Sequence, residues 1–403
     1  MKVTAIETIN LEEFPNVLWV QVHTDEGIVG LGETFYAVEP VIAHVHQTIA
    51  PYLLGKNPLT IDAHSRHMLY NYLGFKSVGA EMRAASAVDI ALWDILGQAA
   101  NQPLYQLLGG ASRDKVRAYN TCAGYQYVRA KSEQGTANFG MPGDTGRYQP
   151  YEDLVGFMQY ADELALSLLE EGYSGMKIWP FDEYAEASNG TYISSADLKK
   201  AMRPFEKIRK AAGDRMDIHV EFHSLWNLPA AIKIAKALEQ FDPFWYEDPI
   251  KMDNLDAIAE YARRTDVWVT ASETLGTRWA FRDLFEKRAV SVCMFDVGWT
   301  GGVSESKKIA TMAEAYQLPV APHDCTGPVL LTASVHLSMN CPNTLVQEVV
   351  RAFYSDWYGK LVTQLPPLEK GYISAPKGPG LGTRLQPDVL KRKDARIRRS
   401  TLA

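Results

Sequence analysis

What the chain lacks narrows its class before any motif is considered. Four cysteines in 403 residues, Cys122, Cys293, Cys325 and Cys341, include no C-x-x-C pair. A disulfide framework or a structural zinc site is therefore not expected, and the thiols read as buried groups of a reducing compartment. No run approaches the ~20 apolar residues that span a bilayer. The N-terminus, MKVTAIETIN, alternates polar and apolar residues where a signal peptide has a continuous apolar segment. Basic charge is in deficit, with a net charge of −7 and a pI near 5.8. Nucleic acid is then a poor partner, because phosphate binding needs a basic face. No G-x-G-x-x-G follows an early strand, which weakens a doubly wound dinucleotide-binding fold. The remaining class is a cytoplasmic globular protein.

What is present falls into two rhythms. Val3–Asn10, Val17–His23 and Ile28–Phe35 read as strands, the last two flanking an Asp25-Glu26-Gly27 turn. Helical spacing follows, clearest from Ala84 to Ala100 and ended by Asn101-Gln102-Pro103. Segregated strands and helices make residues 1–115 an α+β unit. From residue 116 short apolar runs alternate with amphipathic helices: Val116–Ala123, Gly175–Trp179, Asp217–Glu221, Phe244–Glu247, Val267–Ala271, Val292–Phe295, Val320–Pro322 and Thr344–Val346. Eight strand–helix units over residues 116–365 fit a (β/α)8 barrel. Two longer segments, Arg129–Tyr151 and Phe181–Ser194, follow the first two barrel strands, so they are expected over the barrel mouth. The tail, 366–403, carries no barrel rhythm.

The most informative feature is a spacing. Glu221, Glu247 and Glu273 each close an apolar run and lie 26 residues apart, one strand–helix unit. Consecutive strands then deliver three carboxylates to one rim, where their repulsion calls for a cation. Hard oxygen ligands suit Mg²⁺. Asp296, His323 and Glu348 continue the series at later strand ends, and Lys177 precedes it. His223 shares strand parity with Glu221, while His219, one step deeper, reads as a satisfied core histidine. This set suits proton abstraction α to a carboxylate. Asp296 would orient His323 as base, Lys177 would act as a base or clamp a substrate carboxylate, and a protonated Glu348 would donate to that carboxylate.

The pieces VHTDEGIVGLGET, ASAVDIALWDILGQAANQPLYQLLGG, GYSGMKIW, VEFH, YEDP, SETL, DVGWTGG, APHD and LVQE resemble the mandelate racemase/muconate-lactonizing branch of the enolase superfamily over nearly the whole chain. The resemblance implies an α+β capping domain plus an enolase-like modified TIM barrel, with the tail 366–403 returning to the cap. It implies Mg²⁺ on Glu221, Glu247 and Glu273, a dyad of Asp296 and His323, Glu348 as carboxylate-binding acid, and a homo-oligomer. Two departures stand out. The first ligand is Glu where the branch usually has Asp, and Lys177-Ile178-Trp179 replaces the usual Lys-x-Lys. Trp179 thus holds a base position, which disfavours a two-base racemase. His223 resembles the extra histidine of the D-mannonate dehydratase type, and the long loop after the first barrel strand is also similar to that type, making Arg147 and Tyr148 candidate substrate contacts. The expected activity is dehydration of an aldonate or aldarate, a small anionic sugar acid, to a 2-keto-3-deoxy acid. Epimerisation or cycloisomerisation is the close alternative. A Schiff-base aldolase on Lys177 and a non-catalytic binder are more remote.

Overall fold

The computed structural model describes residues 1–71, 73–125, 127, 146–402. Most of the segment Arg129–Tyr151 therefore lies outside the described residues. Three N-terminal strands, β1 (Val3–Leu11), β2 (Phe14–Thr24) and β3 (Val29–Phe35), form an antiparallel meander. The helix Ala80–Ala100 lies across it, with Ala84, Ala87, Val88, Ala91, Leu92 and Ile95 buried. Contact is close because small residues meet: a Cβ on Gly30 would sit 2.1 Å from the Ala91 carbonyl, and one on Gly32 1.8 Å from that of Ala87. Asn101, in a left-handed conformation at φ 51°, ends this helix where the sequence pattern stops.

The second unit is a parallel barrel. Its strands are β4 (Val116–Thr121), β5 (Gly175–Ile178), β6 (Asp217–Glu221), β7 (Trp245–Glu247), β8 (Trp268–Ala271), β9 (Val292–Cys293) and β10 (Gln347–Val349). Neighbours pair in parallel from β4 through β9, and β10 pairs with β4. Val320 bridges Cys293 on one side and Thr344 on the other, which completes the ring. The expected seventh strand, Val320–Pro322, is thus reduced to isolated bridges. Pro319 and Pro322 flank it, and neither has an N–H for the ladder. The eighth strand lies later than expected, at Gln347–Val349 instead of Thr344–Val346, because its upper half registers against Ala118–Asn120 of β4. That shift draws Glu348 from a strand end into a strand.

Tyr119, Trp245, Val292, Met294, Ala321 and Val346 fill the barrel below the mouth. His219 joins them, stacked 4.4 Å from Tyr119 and edge-on to Trp245 at 4.2 Å. It is buried as expected, but neither ring nitrogen has a hydrogen-bond partner; aromatic faces surround it instead. The chain then forms a small hairpin, β11 (Leu368–Glu369) and β12 (Tyr372–Ile373), against the start of β4. Only afterwards does β13 (Ala395–Thr401) add to the free edge of β1, antiparallel. The four cysteines are free thiols, all buried except the partly exposed Cys325.

The cap grips one particular loop of the barrel. Asp89 accepts from both the backbone N–H (3.0 Å) and the hydroxyl (2.6 Å) of Ser304. Ser86 Oγ accepts from Gly301 N at 3.0 Å, and Thr34 Oγ1 donates to the Gly298 carbonyl at 3.1 Å. Glu33 closes the junction, accepting from Trp19 Nε1 at 2.6 Å and from Leu330 N at 3.0 Å, at the start of the helix Pro328–Asn340. The residues so held, 298–304, directly follow Asp296.

Candidate active site

Strand register builds the carboxylate cluster. Glu221 and Glu247 are direct partners across β6 and β7, and Glu273 lies just past β8. One carboxylate oxygen from each of the three lies within 4.8 Å of the others. Glu221 Oε1 is committed to the N–H groups of Phe222 (2.9 Å) and His223 (2.6 Å). Its Oε2 is buried with no hydrogen bond and only a 3.4 Å ion pair to Lys177, which leaves it lone-pair capacity for a cation. Burial and the neighbouring Glu221 push Glu247 well above the usual carboxylate range. Three converging hard oxygens, one of them without a hydrogen bond, fit Mg²⁺ as the group that Glu221, Glu247 and Glu273 would hold.

Lys177 stands beneath this triad, not apart from it. Its Nζ lies 2.6 Å from Glu247, 2.8 Å from Glu348 and 3.4 Å from Glu221. Burial opposes its charge, but Glu247 and Glu348 outweigh burial and hold the ammonium well above its ordinary pKa. A Schiff base requires a neutral amine, so this enclosure counts against an aldolase. Glu348 differs from expectation in the same place. It accepts from Lys177, from Thr121 Oγ1 and, at 2.9 Å, from Asp324 N. Burial would raise its pKa, yet Lys177 and His323 pull it below the ordinary value. The protonated, donating Glu348 inferred from the sequence is therefore replaced by a carboxylate that accepts from three donors.

Two histidine–carboxylate dyads flank the triad. His323 Nδ1 pairs with Asp296 Oδ2 at 2.7 Å, and its Nε2 faces Glu273 Oε2 at 2.8 Å. Burial disfavours the imidazolium, but Glu273, Glu348 and Asp296 raise its pKa well above normal. His223 Nδ1 pairs with Asp182 Oδ2 at 2.6 Å. Against burial, Asp182 and Glu221 raise His223 to about 9. His223 and Ser224 both take left-handed backbone conformations, at φ 48° and 54°, directly after β6. Such strain concentrates where function fixes a side chain's direction.

Trp179 is buried edge-on to His223, with ring centroids 5.6 Å apart, and against Phe157 at 5.0 Å. Tyr148 is not brought to the carboxylates: its hydroxyl receives a 2.8 Å hydrogen bond from Arg351 Nη2. Arg351 is a buried structural hub that also makes two 2.8 Å bonds to Asp153. Arg147 is exposed.

Sequence reasoning missed Asp182 and Asp248. Asp182 sits in a short helix, Asp182–Glu186, within the segment expected only to overhang the mouth. Asp248 follows Glu247 in YEDP; its Oδ2 accepts from Ser272 Oγ at 2.9 Å, and its buried Oδ1 has no partner. Adjacency to Glu247 was the available signal for Asp248. Asp182 had none, since its pairing with His223 depends on the path of the chain between strands.

Comparison with known proteins agrees with this geometry. Residues 159–389 match the family described as enolase C-terminal domain-like, and residues 3–109 match the mandelate racemase/muconate lactonizing enzyme N-terminal domain. D-xylonate dehydratase of Haloferax volcanii is 28% identical over 97% of this chain and 88% of its own. Arabinonate dehydratase of Saccharolobus solfataricus is 28% identical over 96% and 93%. A crystal structure of an enolase of the mandelate racemase subgroup from Agrobacterium tumefaciens superposes with a TM-score of 0.88 at 53% identity, covering 100% of this chain and 99% of that one. The chain belongs to the mandelate racemase/muconate lactonizing enzyme branch of the enolase superfamily.

Proposed function

We propose that this protein is a Mg²⁺-dependent hydro-lyase that dehydrates a sugar acid, an aldonate or aldarate, to a 2-keto-3-deoxy acid. The observation that carries the reading is the pair of histidine–carboxylate dyads on either side of three converging glutamates. β-Elimination needs one group to remove the α-proton and another to protonate the departing 3-hydroxyl. His323 is the base: Asp296 occupies Nδ1, so Nε2 is the atom that takes the proton, and it would be free to do so once Glu273, the carboxylate that most favours the imidazolium, engages Mg²⁺ instead. His223 is the acid, with Asp182 fixing its Nδ1 and stabilising the imidazolium. Lys177 binds the substrate carboxylate, and Glu348 holds Lys177 in place from below. Bound Mg²⁺ supplies stabilisation of the negative charge that develops as the α-proton leaves. Relatives named for dehydration of xylonate, arabinonate and galactonate support the reaction class. Arg147 and Tyr148 contribute at most from the rim. The free cysteines are compatible with a cytoplasmic location, and a homo-oligomer is what the family resemblance implies.

The experiment is incubation with Mg²⁺ and a panel of aldonic and aldaric acids in deuterated water. The expected result is a 2-keto-3-deoxy acid, formed about 10²- to 10⁴-fold more slowly by His323→Asn. Deuterium entering recovered substrate without any keto acid would overturn dehydration in favour of epimerisation or cycloisomerisation.

A further inference from the structure

The cap places a guanidinium beside the mouth of the barrel, on the side of Trp299 and His323. Arg83 projects from the helix Ala80–Ala100, and its Nε donates to the Phe35 carbonyl at 3.2 Å. Its guanidinium stacks on Trp299, 4.8 Å from the ring centroid, and lies 5.7 Å from that of Tyr36. Trp299 in turn packs against His323, with centroids 5.5 Å apart. One indole therefore separates a fixed cation from the histidine that takes the proton.

The donors here are in surplus. Among the described residues, Arg83 makes no hydrogen bond beyond that of Nε, so its terminal Nη groups have no acceptor. Trp299 Nε1 is buried and also without a partner. Burial lowers the pKa of Arg83, and Asp296, Tyr36 and Glu273 oppose that shift across the mouth without any direct ion pair. The buried indole N–H calls for an acceptor, and beside it a half-buried guanidinium with its faces occupied offers its free edge in a fork suited to a carboxylate. The support is rigid as well. Trp299 N donates to the Asp296 carbonyl at 3.1 Å, and the same loop is tied to the cap through Thr34 and Ser86.

We propose that Arg83 and Trp299 form a subsite for the distal carboxylate of a dicarboxylic sugar acid, so that the enzyme prefers aldarates to aldonates. This rests on the barrel mouth being the site of sugar-acid dehydration, as proposed above. Lys177 and the glutamate triad engage the carboxylate next to the reacting carbon; Arg83 then receives the one at the other end of the chain. A terminal hydroxymethyl group would satisfy one donor and leave the guanidinium uncompensated.

The test compares six-carbon aldarates and aldonates of matched configuration on the Mg²⁺-loaded full-length enzyme. Wild type is expected to show the higher kcat/KM on an aldarate. Arg83→Gln should lower the aldarate-to-aldonate ratio by about 10- to 100-fold, mainly through KM, as expected for a hydrogen bond to a charged group. Arg83→Lys, which keeps the charge and loses the fork, should fall between. Trp299→Phe, which removes only the indole donor from the ring stack, should lower the ratio roughly 3- to 10-fold. These two variants carry the test if Arg83→Gln does not fold. Aldonate turnover with no aldarate preference, or a ratio unchanged in the variants, overturns the subsite and leaves dehydration standing. Failure to dehydrate either class overturns both.

Discussion

Asp296 and His323 are joined twice, by a parallel backbone bridge and by a 2.7 Å contact between Oδ2 and Nδ1. The bridge sets the separation of the two strand ends before the side chains meet, so the imidazole is oriented by backbone as well as by its carboxylate. A third bond, from Gly298 N to Asp296 Oδ1 at 2.7 Å, holds the carboxylate itself. The consequence is a ring whose Nε2 has one direction available, toward Glu273 and the centre of the mouth.

His323→Asn should lower kcat by about 10²- to 10⁴-fold, the usual range for a lost general base. Asp296→Asn leaves the imidazole in place but weakens its orientation, so the loss should be smaller, roughly 10- to 100-fold. Steady-state kinetics with solvent deuterium exchange measures both. Equal losses would show that Asp296 does more than orient the ring.

Mg²⁺ should stabilise the fold through the triad, independently of turnover. At about 100 times its dissociation constant a ligand adds roughly 2.7 kcal/mol, visible as a rise in Tm that EDTA reverses. Glu247→Gln, which removes one charge from the cluster, should abolish most of that rise. An unchanged response would place the ion elsewhere.

Asp89 is the firmest tie between the cap and the loop after Asp296. Asp89→Ala strands the Ser304 N–H and hydroxyl in a buried position, and each unsatisfied group costs about 1–3 kcal/mol. Urea denaturation should report the loss. A cycle with Ser304→Ala should return a coupling of roughly 0.5–3 kcal/mol.

Docking of β13 on the cap should loosen in mild acid. His46 bridges Thr8 of β1 and Ser400 of β13, at 2.9 and 2.8 Å. Burial first, then Arg398, lowers its pKa from 6.5 to about 4. Above pH 6.5 the ring is neutral in folded and unfolded chains alike, and its contribution is complete. As pH falls from 6.5 toward 4, only the unfolded chain takes up the proton, so stability is lost across that window. Hydrogen exchange of the β13 amides, corrected for intrinsic rates, should therefore quicken between pH 7 and 5. His46→Gln should flatten the change.

The parts of the site legible without coordinates were those that repeat. Glu221, Glu247 and Glu273 could be placed on one rim because a strand–helix unit has a nearly constant length, and each follows an apolar run. The same regularity separated an α+β cap from a barrel. It failed where prolines interrupt the seventh strand and where β10 slides along β4, since barrel closure staggers the strands by an amount no local pattern encodes. That stagger moved Glu348 inward and turned an expected donor into an acceptor.

Contacts between distant segments were decided only on folding. Lys177 reads as a site residue, yet nothing local shows that three carboxylates from 44 to 171 residues away enclose it. Asp182 reads as one acid among several in an insertion, yet it orients His223. Arg83 lies just ahead of the helical pattern read from Ala84 and carries no signal of its own, yet cap docking brings it over Trp299. Local pattern carries the period of the strands and hence the height at which side chains emerge. Which of them meet depends on register, closure and the seating of one domain on another, and those are set by long-range packing.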